Sequence, residues 1–349
     1  MVSVTIVTWN SEKYLGECFA ALAAQEYRDV EVIIVDNASE DGTCALLKNA
    51  DPAWRVIYND KNIGFAAGQN QAIRASRGNY VLCLNPDVML SPNFITQLMA
   101  AAGESCFDAG VFCGKLLRWD PTAANHKTNI IDSTGIYFTP NMRHLDRGAE
   151  EVDRGQYDRL QYVFGASGAA AFYRRSFIDD VSVEGEFFDE EFFAFREDGD
   201  LSWRAQLMGW KCLYLPTAVA WHVRRVTPER RKDLPLIINW HSAKNRFLMR
   251  GKNASGWLCW RLFFPVFWRD LMTFGYAVVR DRRLLSAVTY WWKARDSVRR
   301  KRHIIQSRRR VSDRELVWWF SNTPRAVDAP EPPPHSAVSN QPSSRRSAD

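Results

Sequence analysis

VSVTIVT (residues 2–8) runs into Trp9-Asn10-Ser11, and VEVIIV (residues 30–35) runs into Asp36-Asn37. Both are unbroken β-branched runs, the pattern of strands buried on two faces of a parallel sheet. Between them Tyr14, Leu15, Cys18, Phe19 and Leu22 recur at helical spacing behind Asn10-Ser11, which offers a helix cap. The same grammar continues: a turn at Asp41-Gly42, a helix around residues 45–48, a strand over Arg55–Tyr58 and a helix over residues 66–76. A fourth strand, Tyr80–Leu84, ends at Asn85-Pro86-Asp87. Such βαβαβ alternation predicts an α/β fold with a doubly wound, mostly parallel sheet.

Further along, residues 100–160 are irregular and polar, with no assignable element. Strand patterns return near residues 169–173 and 212–215, a helix is expected over residues 198–208, and residues 218–221 form an apolar run closed by His222. Pro228 and Pro235 mark a change of character, after which apolar, Arg-rich helical stretches run to about Phe320. These features divide the chain into a sheet domain over 1–235, a helical region over 236–320 and a Pro/Ser-rich tail over 321–349 that reads as disordered.

The chain has 46% apolar and 25% charged residues, ordinary globular composition, but 14 Trp, eight of them after residue 236. The net charge is +6, and twelve Lys/Arg between Arg280 and Arg310 face only Asp281 and Asp296. A basic segment laced with Trp fits an anionic membrane surface, a nucleic acid, or simply a solvated helix face. Residues 257–279 are apolar but interrupted by Arg261, Arg269, Asp270 and Pro265, so no segment has the ~20 apolar residues of a bilayer span. On a helical wheel Arg261, Arg269, Asp270 and Thr273 fall opposite Trp260, Phe264, Phe267, Leu271 and Phe274. That pattern fits a helix lying in a membrane interface, kinked at Pro265, or equally one packed against the protein's own core; the basic cluster that follows favours the membrane. Seven scattered Cys without metal spacing point to reduced thiols, and Met1-Val2-Ser3-Val4 lacks a basic leader, so a cytoplasmic setting is expected.

Ligands of doubly wound sheets bind beyond the carboxyl ends of the strands. The residues there, Thr8-Trp9-Asn10, Asp36-Asn37 and Asn85-Pro86-Asp87, are polar. Asp36 can accept from a base imide or a ribose hydroxyl, or can merely cap the next helix. Neither G-x-G-x-x-G after the first strand nor G-x-x-x-x-G-K-[ST] is present, which excludes the usual dinucleotide and P-loop sites. A nucleotide diphosphate would then need another counter-charge, and a divalent metal would serve, with Asp87 and His222 as candidate ligands. The richest stretch is EFFDEEFFAFREDGDLSWR (residues 186–204), whose carboxylates lie among five Phe. An apolar setting raises a carboxylate pKa toward that of a general base. Asp198 is the candidate base, Glu197 its neighbour, and Asp200–Arg204 a structural i,i+4 pair.

VSVTIVTWN, VEVIIVDNASEDGT, NIGFAAGQNQAI, YVLCLNPDV and FFAFREDGDLSWRAQLMGW, in this order over residues 2–225, resemble the family 2 glycosyltransferases of GT-A fold. The nearest likeness is to bacterial rhamnosyltransferases of cell-surface polysaccharide synthesis. The resemblance implies inverting transfer from a nucleotide-sugar, dTDP-L-rhamnose first, assisted by Mg2+ or Mn2+, onto a glycan or lipid-linked acceptor. It implies that Thr8, Trp9, Asn10, Asp36 and Asn37 hold the nucleoside and that Asn62, Gly64, Phe65 and Asn70 line the donor site. Asp87 stands last in the D-x-D motif, whose first position is Asn85 here, and His222 resembles the family's C-terminal metal ligand. Glu197-Asp198 matches the E-D motif, with Asp198 as base, and Gly165 and Ala166 resemble the loop bordering the acceptor. Trp9 stands where Tyr is usual and preserves stacking. The alternatives are a UDP-galactofuranose or UDP-hexose donor and a non-catalytic glycan-binding module; no nucleic-acid partner is expected. The protein is expected at the inner face of the cell membrane, bound peripherally.

Overall fold

A computed structural model describes residues 1–122, 126–224, 236–280 and 282–330. The first half alternates as the sequence predicts: β1 (Val2–Thr8), α1 (Glu12–Ala23), β2 (Val30–Asp36), α2 (Thr43–Lys48), β3 (Arg55–Tyr58), α3 (Phe65–Ala75), β4 (Tyr80–Leu84). Then come β5 (Val88–Leu90), α4 (Phe94–Gly103), β6 (Val111–Trp119), β7 (Lys127–Ser133), β8 (Ile136–Phe138), β9 (His144–Asp146), β10 (Gln161–Val163) and β11 (Ala170–Arg174). The rest comprises α5 (Arg175–Val181), α6 (Glu197–Leu207), β12 (Cys212–His222), α7 (Leu236–Asn253), α8 (Gly256–Arg261), α9 (Phe263–Val279), α10 (Leu285–Ser307), α11 (Asp313–Trp318) and β13 (Val327–Asp328).

Strands β3, β2, β1 and β4 are mutually parallel, with Thr8 in register with Asp36, so their polar ends share one edge. β1 is buried along its whole length, as a β-branched run between two helix layers must be. Val2, Val4 and Ile6 pack with Leu15, Cys18 and Leu22 of α1 on one face. Val7 packs with Val35 and with Ala72 of α3 on the other. Beyond β4 the sheet is mixed: β11 is antiparallel to β4 and β6, while β12 is parallel to β6. The two apolar runs read separately at residues 212–215 and 218–221 are one strand, β12, whose register shifts between Leu215 and Val219, on either side of Pro216.

Several expectations are corrected. Residues 100–160 are not irregular: they hold β6 to β9, and β6 lies inside the sheet. β8 and β9 have only three residues each and β7 is half exposed, which hid them, whereas β6 is a buried nine-residue run interrupted by Gly114 and Lys115. Residues 321–330 are not a disordered tail: Ser321 donates its amide to Phe138, and β13 pairs with β10. Residues 331–349, like Pro228 and Pro235, lie outside the described residues. The kink expected at Pro265 is a break at Leu262 instead, between α8 and α9. Pro265 then falls in the first turn of α9, where its missing N–H has no helical partner to lose. Ser11 precedes α1 but makes no side-chain cap, and the seven Cys are free thiols.

The C-terminal helices share a core with the sheet domain. Leu248, Met249, Val298, Ile305 and Phe320 pack with Phe138, Phe164 and Trp203. Among the described residues no helix is long and apolar enough to cross a membrane.

Candidate active site

At the strand ends, Thr8 Oγ1 donates to Asp36 Oδ1 at 2.8 Å, and the Ser39 hydroxyl and amide donate to Asp36 at 2.6 and 3.0 Å. Asp36 is buried, so it organises the loop that carries it as well as facing the edge. Asn10, in the left-handed region at φ 49°, accepts the Glu40 amide at 2.8 Å and gives its own amide to Ser39. Trp9 beside it is 54% exposed, an open indole at the edge of the sheet.

The Asn62-Ile63-Gly64-Phe65 turn forms the next wall. Asn62 Oδ1 accepts the Gly64 amide at 2.9 Å, and Asn37 Nδ2 donates to the Gly64 carbonyl at 3.0 Å. Gly64 has φ +91°, and a Cβ there would meet the Phe193 ring at 2.6 Å; only glycine fits. Asn70 is buried and exchanges hydrogen bonds with the Phe188 backbone at 2.7 and 2.9 Å. Its side chain therefore ties α3 to the 186–196 segment rather than lining a surface.

That segment enters α6 under backbone strain. Phe193, Phe195 and Arg196 all have φ between 63° and 71°, and such non-Gly conformations persist only where packing over-determines them. Arg196 is the N-cap residue and gives no side-chain cap. Asp198 Oδ2 accepts the Gly168 amide at 3.1 Å and Oδ1 accepts the Gly199 amide at 2.7 Å. Burial raises the Asp198 pKa against the pull of those two amides and of Arg196. Burial, then Asp198 itself, pushes Glu197 up to about 8, and Glu197 Oε2 has no hydrogen-bond partner among the described residues. The apolar-setting argument fails for Asp189. Burial acts upward there too, but Lys252 and Lys301 outweigh it and hold Asp189 far below the carboxylate range.

Opposite, β12 pairs with β5 so that His222 is in register with Val88, next to Asp87. His222 Nε2 lies 3.6 Å from Asp87 Oδ1, and its Nδ1 is 2.8 Å from Asp132 Oδ2. Burial alone would lower the His222 pKa, but Asp132 and Asp87 outweigh it and raise it to about 10. An imidazole nitrogen and a carboxylate facing one another, with the second ring nitrogen held by a buried carboxylate, are a fitting half of a divalent-cation donor set. Among the described residues no third His, Cys, Asp or Glu completes it, so the remaining positions would belong to ligand oxygens and water.

Four residues to which the sequence assigned no role, Arg224, Asp132, Asp146 and His144, join these parts. Arg224 grips Asp132 Oδ1 at 3.1 Å and Asp146 Oδ2 at 2.7 Å. His144 Nε2 lies 3.8 Å from Asp198 Oδ1, and burial with Arg196 and Arg143 keeps His144 neutral. Burial raises Asp146, with Asp132 and Asp198 adding to it against Arg224. The 165–169 loop binds both sides: Gly168 holds Asp198 while the Ala169 carbonyl accepts the Asn85 amide at 2.8 Å. This loop and the Asp132–Arg224–Asp146 chain link Asp198 to the Asp87–His222 pair. The only signal for Asp132 was a strand-end carboxylate after Ile130-Ile131, the same pattern as at Asp36.

The description Glycosyl transferase family 2 matches residues 3–181, half of the chain. The chain belongs to that family. An N-acetylglucosaminyl-diphospho-decaprenol L-rhamnosyltransferase of Mycobacterium tuberculosis is 26% identical over 298 residues, 77% of this chain and 88% of that protein. An N-acetylglucosaminyltransferase of Bradyrhizobium elkanii is 32% identical over 122 residues, 33% of this chain and 66% of its own. In fold, this family 2 transferase is similar to S. aureus TarS 1–349 in complex with UDP-GlcNAc. The TM-score is 0.54 at 16% identity, with 88% of this chain and 90% of that one covered. The GT-A architecture expected from the motifs is therefore present.

Proposed function

We propose that this glycosyltransferase inverts the anomeric centre as it moves L-rhamnose from dTDP-L-rhamnose onto a hydroxyl of a lipid-linked or cell-envelope glycan. Residues 1–235 would form the transferase unit and residues 236–320 the region that brings it to the inner face of the membrane. The observation that carries the reading is Asp198: a buried carboxylate of raised pKa, aimed by the Gly168 and Gly199 amides. A raised pKa makes the carboxylate a stronger proton acceptor, as attack by a sugar hydroxyl requires. Two amide donors fix the carboxylate's direction, so the acceptor oxygen meets it without reorganisation. Neutral His144 closes one side of Asp198, and Glu197, up to about 8, stays protonated and does not compete for the proton.

On the donor side, Trp9 offers its exposed ring to the base, and Asp36 with Thr8 and Asn10 forms the nucleoside edge. Asn37, Asn62, Gly64 and Phe65 shape the donor wall, Asn70 braces it from behind, and Asn85 and Asp87 border the diphosphate. Asp87 and His222 would hold the metal. Bound there, Mg2+ or Mn2+ would offset the charge gathering on the leaving nucleoside diphosphate. The M. tuberculosis relative supports both the rhamnosyl donor and the lipid-linked acceptor.

A donor screen by nucleotide release, with dTDP-rhamnose, UDP-galactose and UDP-N-acetylglucosamine, each with and without chelator, tests this reading. Release from dTDP-rhamnose that a chelator abolishes is expected. Release from UDP-sugars alone would overturn the donor.

A further inference from the structure

Helix α9 is mounted with its polar side inward. Asp270 is paired with Arg246 at 3.2 Å and Arg250 at 2.7 Å, and Thr273 accepts from Arg246 at 3.1 Å, so α7 holds the charged stripe. Leu262 and Ala277 are buried on the same side. The outward stripe repeats at i,i+4 from α8 into α9 through Trp260, Phe264, Trp268, Met272 and Tyr276 and ends one i,i+3 step on at Val279, each residue between 58% and 80% exposed. A water-facing surface of this size and aromatic content is unstable unless something covers it.

We infer that this stripe is an in-plane membrane anchor that docks on anionic lipid, its rings among the upper acyl chains and the flanking arginines at the headgroups. Charge decides the occupant. Exposed Arg261 and Arg280, with Arg282 just beyond, bracket the apolar stripe at both ends. Anionic headgroups match this arrangement, and Trp and Tyr bridge an apolar layer and a wet one. A second copy of the chain packed through a twofold axis would set these arginines against their equivalents or leave them unmatched. The stripe cannot span, since Arg269 and Asp270 interrupt the helix and are committed to the protein side. The anchor deepens the membrane part of the proposed function and rests on that reading for its purpose, but its evidence is independent of Asp198 and Asp87.

Sedimentation of the full chain with vesicles of phosphatidylglycerol and phosphatidylcholine, without donor, tests it. Wild type should partition to the vesicles, and Phe264→Glu with Trp268→Glu should weaken partitioning about tenfold or more. Both positions face outward, and an unchanged melting temperature confirms the fold. Arg261→Gln and Arg280→Gln should each cost up to about fivefold on anionic vesicles. Equal sedimentation of wild type and the double variant overturns the anchor. So does wild type that ignores vesicles yet self-associates through the same two side chains. Nucleotide-induced thermal stabilisation is read in parallel. Its retention alongside lost vesicle binding breaks only the anchor; its absence alongside vesicle binding breaks only the transferase reading.

Discussion

Behind α6, Asp200 is fully buried, paired with Arg204 at 3.1 Å and Lys252 at 3.2 Å and hydrogen-bonded by Asn253 at 2.8 Å. In front of the same helix, two residues earlier, Asp198 meets two backbone amides and a neutral histidine. The rear cluster is matched in charge: Glu186, Asp189 and Asp200 against Arg204, Lys252 and Lys301. The front cluster is not, since Glu197, Asp198 and Asp146 all have raised pKa values despite Arg196 and Arg224. About half a helix turn thus separates carboxylates that hold the C-terminal helices from carboxylates of raised pKa. The rear pairs brace Asp198, the proposed base, from behind, so the front can carry an unmatched charge without opening.

The sharpest way to break this contrast is at the rear. Lys252→Met leaves Asp189 and Asp200 short of a cation and should cost about 3–5 kcal/mol in denaturant unfolding. Asp198→Asn should cut sugar transfer by about 10²–10⁴-fold, with a melting temperature near that of wild type. A large stability loss there would make Asp198 structural like Asp200. Asp132→Asn should weaken Mn2+ affinity, measured by titration calorimetry, by about 10–100-fold, because the imidazole loses its orienting carboxylate. Unchanged affinity would remove Asp132 from the site.

The last prediction concerns Glu197 and has a defined sign. Its pKa is 4.5 unperturbed and about 8 in the fold, so the folded state binds more protons than the unfolded state between those values. Stability therefore falls as pH rises through that window. Glu197→Gln should flatten that part of the pH–stability curve, measured by thermal unfolding from pH 4 to 9. An unchanged slope would mean another group carries the dependence.

Legibility follows the range of the interactions involved. β1 to β4 and their polar ends were readable because each is a local apolar run ending in a turn, and neighbouring parallel strands need no further information. The Asp200–Arg204 pair was readable for the same reason, being one helix turn apart. Asp132, His144 and Asp146 were not: each acts through a partner 54 to 92 residues away, reached only after β7 and β9 take their places. Residues 186–204 show the limit most clearly. Their composition announces buried carboxylates but cannot say which are neutralised, because the lysines that decide it lie on α7 and α10.

The sequence by itself determined the parallel half of the sheet, the motif order and the amphipathic pattern of residues 257–279, since local periodicity encodes all three. Tertiary structure alone decided which face of that helix turns outward, which carboxylate keeps a raised pKa, and that His222 meets both Asp87 and Asp132. Burial and charge compensation depend on what packs alongside, and that is a property of the assembled fold.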